Sequence, residues 1–140
     1  MSKTFVKFDD DDQFDFILIG IFCQYKDYRL CHELNSMLRI ELTRGNDYEI
    51  FNGKRMEKIN FSFYHFQNNE EDQYFLISNK GKHGLLIPEQ KQIDFFLMIR
   101  ENVKRISETE IINRIKELKV VLGVFKIDIK NLKSRDNLVF

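Results

Sequence analysis

The sequence predicts an α+β fold, a mostly antiparallel sheet with two helices packed on one face. Three observations carry that expectation. Apolar stretches of strand length recur along the chain, and only two segments show helical spacing. The order runs strand, helix, several strands, helix, strand, with polar turns rather than long crossovers in the middle. A chain of 140 residues suits a single domain, 1–140, able to bury about two-thirds of the surface its unfolded form exposes. Residues 1–12 read as a polar, partly ordered lead-in. Its run Asp9 to Asp12 lacks the central Gly and distal Glu of a calcium loop and reads as a solvated connector.

Phe14 to Cys23 is apolar on both alternating faces apart from Asp15, the pattern of a central strand covered on both sides. The first helix follows, with Leu30, Cys31, Leu34, Met37 and Leu38 on one face. Asp27 is placed to cap it by accepting from the N–H groups of the first turn. Asp47 to Phe51 is a short strand before Asn52-Gly53, a pair that favours a tight turn. Ile59, Phe61 and Phe63 alternate with Asn60, Ser62 and Tyr64 as a half-buried strand. Gln73 to Ser78 is its hairpin partner across the polar turn Asn68 to Asp72. Ile93 to Ile99 and Val120 to Ile127 complete the apolar strands.

Ser107-Glu108-Thr109-Glu110 is a capping box for the second helix. Ile106 and Ile111 sit at the positions of a hydrophobic staple, and Ile112, Ile115 and Leu118 continue the apolar face. The closing stretch Glu110 to Asp128 is similar to ferredoxin-like regulatory domains, where an amphipathic helix runs into a Val-rich strand containing a Gly. That likeness concerns fold and assigns no function.

Fourteen Phe, no Trp and one Pro predict a Phe-rich core with few rigid turns. Charge balances overall, yet residues 1–72 sum to −5 and residues 73–140 to +5. In one intermixed domain the halves complement each other, and a nucleic-acid face is disfavoured because it needs a clustered basic surface. Met1 to Phe8 is too short and polar for a signal peptide, and no apolar run nears the roughly 18 residues of a membrane helix. A cytoplasmic protein is expected, with Cys23 and Cys31 as free buried thiols. Cys31 and His32 point about 100° apart on a helix, so with Cys23 they match no zinc pattern. Gly81-Lys82-His83-Gly84 lacks P-loop spacing and reads as a hairpin turn. Neither a dinucleotide Gly fingerprint nor a Gly-x-Ser-x-Gly elbow is present, so no cofactor is expected.

Leu86-Ile87-Pro88-Glu89, followed after three residues by Ile93-Asp94-Phe95-Phe96, is the most distinctive stretch. It resembles the signature of the IPExxxVDY family of small bacterial proteins. Ile-Pro-Glu matches outright, and Ile93-Asp94-Phe95 stands for Val-Asp-Tyr. The resemblance extends to Phe14-Asp15-Phe16 with Leu18 to Ile21, to Lys26 to Cys31, and to Leu132 to Leu138. It implies a bacterial protein and brings no catalytic assignment. Read as residues, Pro88 ends a strand and turns the chain, and Glu89 can accept from nearby backbone N–H groups. Asp94, in an apolar run on the face of Phe96 and Met98, needs a cationic or hydrogen-bonding partner. Either Asp94 pairs with a Lys or Arg on a neighbouring strand and sets register, or Glu89 and Asp94 line a pocket for a polar or basic ligand. Without a companion nucleophile or metal set, the two acids make no catalytic pair.

Phe61, Phe63, Tyr64, Phe66, Tyr74 and Phe75 cluster on the hairpin. An RNA-binding sheet would interleave such rings with basic residues, but no Lys or Arg lies between Ile59 and Asn79. The chain closes on Leu138, Val139 and Phe140, and three apolar residues at an end predict docking, on this domain's own sheet or in a partner's groove. The expected function is a small binding or protein-interaction module without catalysis. Its candidate ligand or partner residues are Glu89, Asp94, Leu138, Val139 and Phe140. The expected partner is a second copy, through the hairpin or a sheet edge, or another cytoplasmic protein. The alternatives are a ferredoxin-like regulatory domain for a small ligand and, behind it, an RNA-binding sheet. Polar groups converging on one concave pocket would favour a ligand, and a flat exposed aromatic patch would favour a partner.

Overall fold

Strands and helices succeed one another as follows in the computed structural model, which describes residues 14–54 and 56–139. β1 (Ile17–Phe22) leads into α1 (Asp27–Leu38). Then come β2 (Thr43–Arg44), β3 (Tyr48–Asn52), β4 (Glu57–Phe61), β5 (Phe63–Gln67), β6 (Gln73–Ser78), β7 (Lys80–Gly81), β8 (Gly84–Leu85) and β9 (Phe95–Arg100). α2 (Glu108–Lys116) precedes β10 (Gly123–Lys126), and two 3-10 turns follow, Ile129–Asn131 and Arg135–Leu138. The expected lead-in 1–12, with its run Asp9 to Asp12, and Phe140 lie outside the described residues.

Six strands form one sheet in the order β10-β1-β9-β6-β5-β2, with every neighbouring pair antiparallel. Taken in chain order, β1, β6, β9 and β10 lie 4-1-3-2, with a helix between the first and second and another between the third and fourth. This is the β-α-β-β-α-β arrangement of ferredoxin-like folds. Both helices cover one face. Ile19 and Ile21 of β1, Leu97 and Ile99 of β9 and Leu76 of β6 meet Leu30 and Leu34 of α1 and Ile111 and Ile115 of α2. The spacing that predicted each helix is the spacing that buries it.

The helix starts differ from one another. Ser107 caps α2 in an extended conformation, its hydroxyl accepting from the Glu110 N–H at 3.3 Å. Just upstream, the Glu101 carboxylate accepts from the N–H groups of Arg105 and Ile106, at 2.7 and 2.8 Å. Asp27, expected to cap α1, does not. The N-cap is Lys26, with no side-chain bond, and Asp27 is the first helical residue, its Oδ1 accepting from the Tyr28 N–H at 2.9 Å. Its charge still lies at the positive end of the helix dipole.

The single strand expected over residues 59–64 is two strands. The chain leaves one sheet and enters another at Ser62, so β4 pairs with β3 while β5 pairs with β6. The β3–β4 ribbon thereby crosses to the face opposite the helices. There Ile59 and Phe61 join Leu86, Ile87, Ile93, Ile129, Leu132 and Leu138 over Leu18, Ile77, Phe96 and Met98. The sheet is therefore covered on both sides, as the two-faced apolar pattern of β1 requires. Gly20, at the middle of β1, permits this cover, since a Cβ there would lie 2.5 Å from Cδ1 of Ile93.

Candidate interaction site

Residues 79–94 form a closed loop organised by Asn79, which is fully buried. Its Nδ2 donates to the carbonyls of Gln90 and Ile93, at 2.8 and 2.9 Å, and its Oδ1 accepts from the Ile87 N–H at 2.8 Å. Its backbone N–H donates to the Asp94 carbonyl, and its carbonyl accepts from the Leu86 N–H. Leu86 and Ile87 are thereby held in the core, and Pro88 turns the chain outward.

Glu89 and Asp94 then serve two separate junctions. The Glu89 carboxylate accepts from the Ser134 N–H and the Ser134 hydroxyl, both at 2.8 Å. Burial pushes its carboxyl up, but the Ser134 N–H, its own N–H, the Ser134 hydroxyl and the Lys133 N–H hold it below the usual range. Glu89 thus anchors the start of the last 3-10 turn. Asp94 precedes β9 rather than lying within it. Its Oδ2 accepts from the Cys23 N–H at 2.8 Å, and its Oδ1 pairs with Nζ of Lys80 at 2.6 Å. It joins the end of β1 to the β7–β8 hairpin, whose turn is Lys82-His83.

Around Asp94 lies an open concavity of about 400 Å³, bordered by Cys23, Lys26, Asp27, Ser62, Ser78 and Lys80. Its charges answer one another, Lys80 with Asp94 and Asp27 with the start of α1. Cys23 and Cys31 are free and buried, and burial pushes both thiols up, away from the reactive thiolate. Among the described residues no group of three His, Cys, Asp or Glu could hold a metal ion. Among them, too, no helix is long and apolar enough to cross a membrane.

The hairpin aromatics turn inward rather than forming a surface. Phe61, Tyr64 and Tyr74 are buried, and Phe63 stacks between Tyr48 and Phe75 with ring centroids 6.1 and 5.8 Å away. Burial pushes the Tyr64 hydroxyl up to about 12, helped by Asp27. Phe63, Phe66 and Phe75 are half-buried. At the chain end the expected apolar trio divides. Leu138 is fully buried in the second core, whereas the Val139 side chain is 36% exposed and its carbonyl accepts from the Tyr48 hydroxyl at 3.1 Å. The turn is also pinned by hydrogen bonds, since the Tyr48 hydroxyl donates to the Asn137 carbonyl at 2.6 Å and Asn137 Nδ2 donates to the Leu86 carbonyl at 2.8 Å.

Exposed apolar side chains occur at several places, among them Tyr25, Tyr28, Phe51, Met56 and Val103, and two others lie at the β10 edge. Among the described residues no strand pairs with its outer side. Leu122 and Phe125 are 67% and 47% exposed, and the Phe125 ring sits 5.0 Å from that of Phe22. Gly123 is in register with Phe22, and the preceding Leu122 N–H also bonds to the Phe22 carbonyl, which makes a bulge at the strand's entry. The Ile127 N–H donates to the Leu18 carbonyl. Antiparallel alternation then aims the backbone groups of Gly123, Phe125 and Ile127 at β1 and those of Val124 and Lys126 outward. Sequence reasoning missed this edge because Val120 to Ile127 is apolar on both parities, like a covered strand. The one available signal was Gly123, an isolated glycine in a strand pattern. No protein-family model matches the chain, and no curated protein matches it.

Proposed function

We propose that the protein is a small binding or protein-interaction module without catalysis of its own, and that it engages its partner by strand addition at the β10 edge. The observation that carries this reading is the exposure of Leu122 and Phe125 beside outward backbone groups on an unpaired edge. Proteins usually blunt such edges, because an open one recruits another chain. At the far side of the same sheet the blunting is visible. β2 is two residues long, and Arg44 pairs there with Asp47 at 2.6 Å and donates to the Gly45 carbonyl. The signature acids support the same reading by elimination, since Glu89 and Asp94 are engaged in holding the fold.

The test uses Lys126→Pro. Proline removes the outward N–H and leaves the β1 ladder intact, as an edge position allows. Native mass measurement of the tagged full chain, purified from extract of its own cells, should show a bound protein. That protein should be lost in Lys126→Pro and kept in Val103→Ser, an exposed apolar change elsewhere. Retention by a folded Lys126→Pro variant would overturn the edge as the contact surface.

A further inference from the structure

Residues 101–106, which join β9 to α2, are held in place by carboxylates. Outside the strand ladder and α2, and among the described residues, each of their hydrogen bonds and ion pairs ends on one. The Asn102 N–H donates to Asp72 Oδ1 at 2.9 Å. The N–H groups of Arg105 and Ile106 donate to a single oxygen of Glu101, Oε2, at 2.7 and 2.8 Å. The Arg105 guanidinium meets Asp72 and Glu70, and Lys104 pairs with Asp15 at 3.3 Å. The bonds that close loop 79–94 on Asn79 run, by contrast, between an amide and backbone groups, which do not titrate in acid. Glu101 also borders two concavities, one of about 430 Å³ shared with Arg100 and Glu71, the other of about 300 Å³ shared with Asp15, Lys104 and Glu108. Glu108 in turn holds Lys126 at 3.2 Å.

We propose that residues 101–106 form a proton-operated clasp. In acid, protonation of Asp72 and Glu101 frees this loop, and with it the wall that the two concavities share and the entry to α2, while the sheet stays folded. A carboxylate only accepts, and its bonds to N–H groups are charge-assisted. Once protonated, it turns a donor of its own toward groups that are donors already. Little else retains the loop, since Asn102, Val103, Lys104 and Arg105 are exposed and Ile106 packs only partly against the core. The other groups facing the clasp do not replace the lost charge. Arg105 and Lys104 stay cationic in acid. The Tyr74 hydroxyl on β6, raised by burial and then by Asp72, stays neutral. Burial pushes the Asp72 carboxyl up, yet the Asn102 N–H, the Asn68 amide and Arg105 hold it low. Its share of the clasp is therefore full above about pH 4 and lost as pH falls through the folded value.

The test is amide hydrogen exchange of the full chain, followed residue by residue from about pH 6 to about pH 2.5 and corrected for intrinsic rates, in the parent and in Glu101→Gln. In the parent, protection at Asn102, Arg105 and Ile106 should fall about tenfold or more across this range, while the amides of β1 and β9 and that of Ile87 stay protected. The Arg105 and Ile106 N–H groups share one oxygen of Glu101, and glutamine offers one amide oxygen that does not titrate. In Glu101→Gln, therefore, Arg105 and Ile106 should no longer respond to pH, and Asn102, which bonds to Asp72, should respond as in the parent. A variant open at Arg105 and Ile106 already at about pH 6, with β1 and β9 protected, supports the same assignment, because it makes the Glu101 charge the holding element. The clasp is overturned if the three amides lose protection only together with β1 and β9, if they keep it throughout, or if Glu101→Gln follows the parent at Arg105 and Ile106.

Discussion

Asp72 and Asn79 stand at the two ends of β6, and among the described residues they are the two polar side chains buried completely. They hold the two ends of the sheet by different chemistry. Asp72 faces donors alone. Its Oδ1 accepts from the Asn102 N–H at 2.9 Å, and its Oδ2 accepts from Asn68 Nδ2 at 3.1 Å and from the Arg105 guanidinium. Asn79 faces one N–H and two carbonyls. A carboxylate can only accept, whereas a primary amide accepts and donates. Each residue type is the one that satisfies the backbone groups around it. The Asp72 carboxyl carries a pH dependence that the Asn79 amide lacks. Burial pushes the Asp72 carboxyl up, but the Asn102 N–H, the Asn68 amide and Arg105 outweigh it and hold it below the usual carboxylate range.

The largest way to break this comparison is Asn79→Ala. It takes the partner from the Ile87 N–H and the Ile93 carbonyl and one of two donors from the Gln90 carbonyl, and at about 1–3 kcal/mol for each group left unpaired it should cost about 4 kcal/mol in urea unfolding. An unchanged midpoint would mean that the 79–94 loop closes without it.

A smaller effect is expected from the turn that docks on the same end. Leu138→Ala should cost about 3 kcal/mol, whereas Val139→Ser should stay within about 0.5 kcal/mol. Equal losses for the two would show that burial of Leu138 is not what fastens the chain end.

Below Leu138→Ala at neutral pH is Asp72→Asn, which exchanges one acceptor for a donor facing other donors and should cost about 2 kcal/mol. Its sharper use is the pH profile. A carboxyl held below its unfolded value contributes stability that is full above about pH 4 and lost as pH falls through the folded value. The parent should therefore lose stability in acid faster than Asp72→Asn, so that the two curves converge. The gap between the parent and Asn79→Ala should stay constant over the same range. Parallel parent and Asp72→Asn curves would remove Asp72 as the acid-sensitive element.

Local patterns made a large part of this molecule legible. The apolar spacing of Leu30, Cys31 and Leu34, the Ser107 cap and the strand Gln73 to Ser78 all follow from contacts a few residues apart, where period and capping chemistry act directly. The two-sided apolar pattern of β1 likewise implied cover on both faces, and the Ile87-Pro88 step implied a turn. The sequence by itself therefore determined the two helices and the main apolar strands, though not β2, the break within residues 59–64 or the exposure of Leu122 and Phe125. It did not determine what covers them. The break at Ser62, the separation of Glu89 from Asp94, the division between Leu138 and Val139, and the position of β10 at an edge were decided by tertiary structure alone. A strand's periodicity records how much of each face is buried, whereas its neighbour is chosen by residues far away in the chain, among registers that local energetics leaves nearly equal.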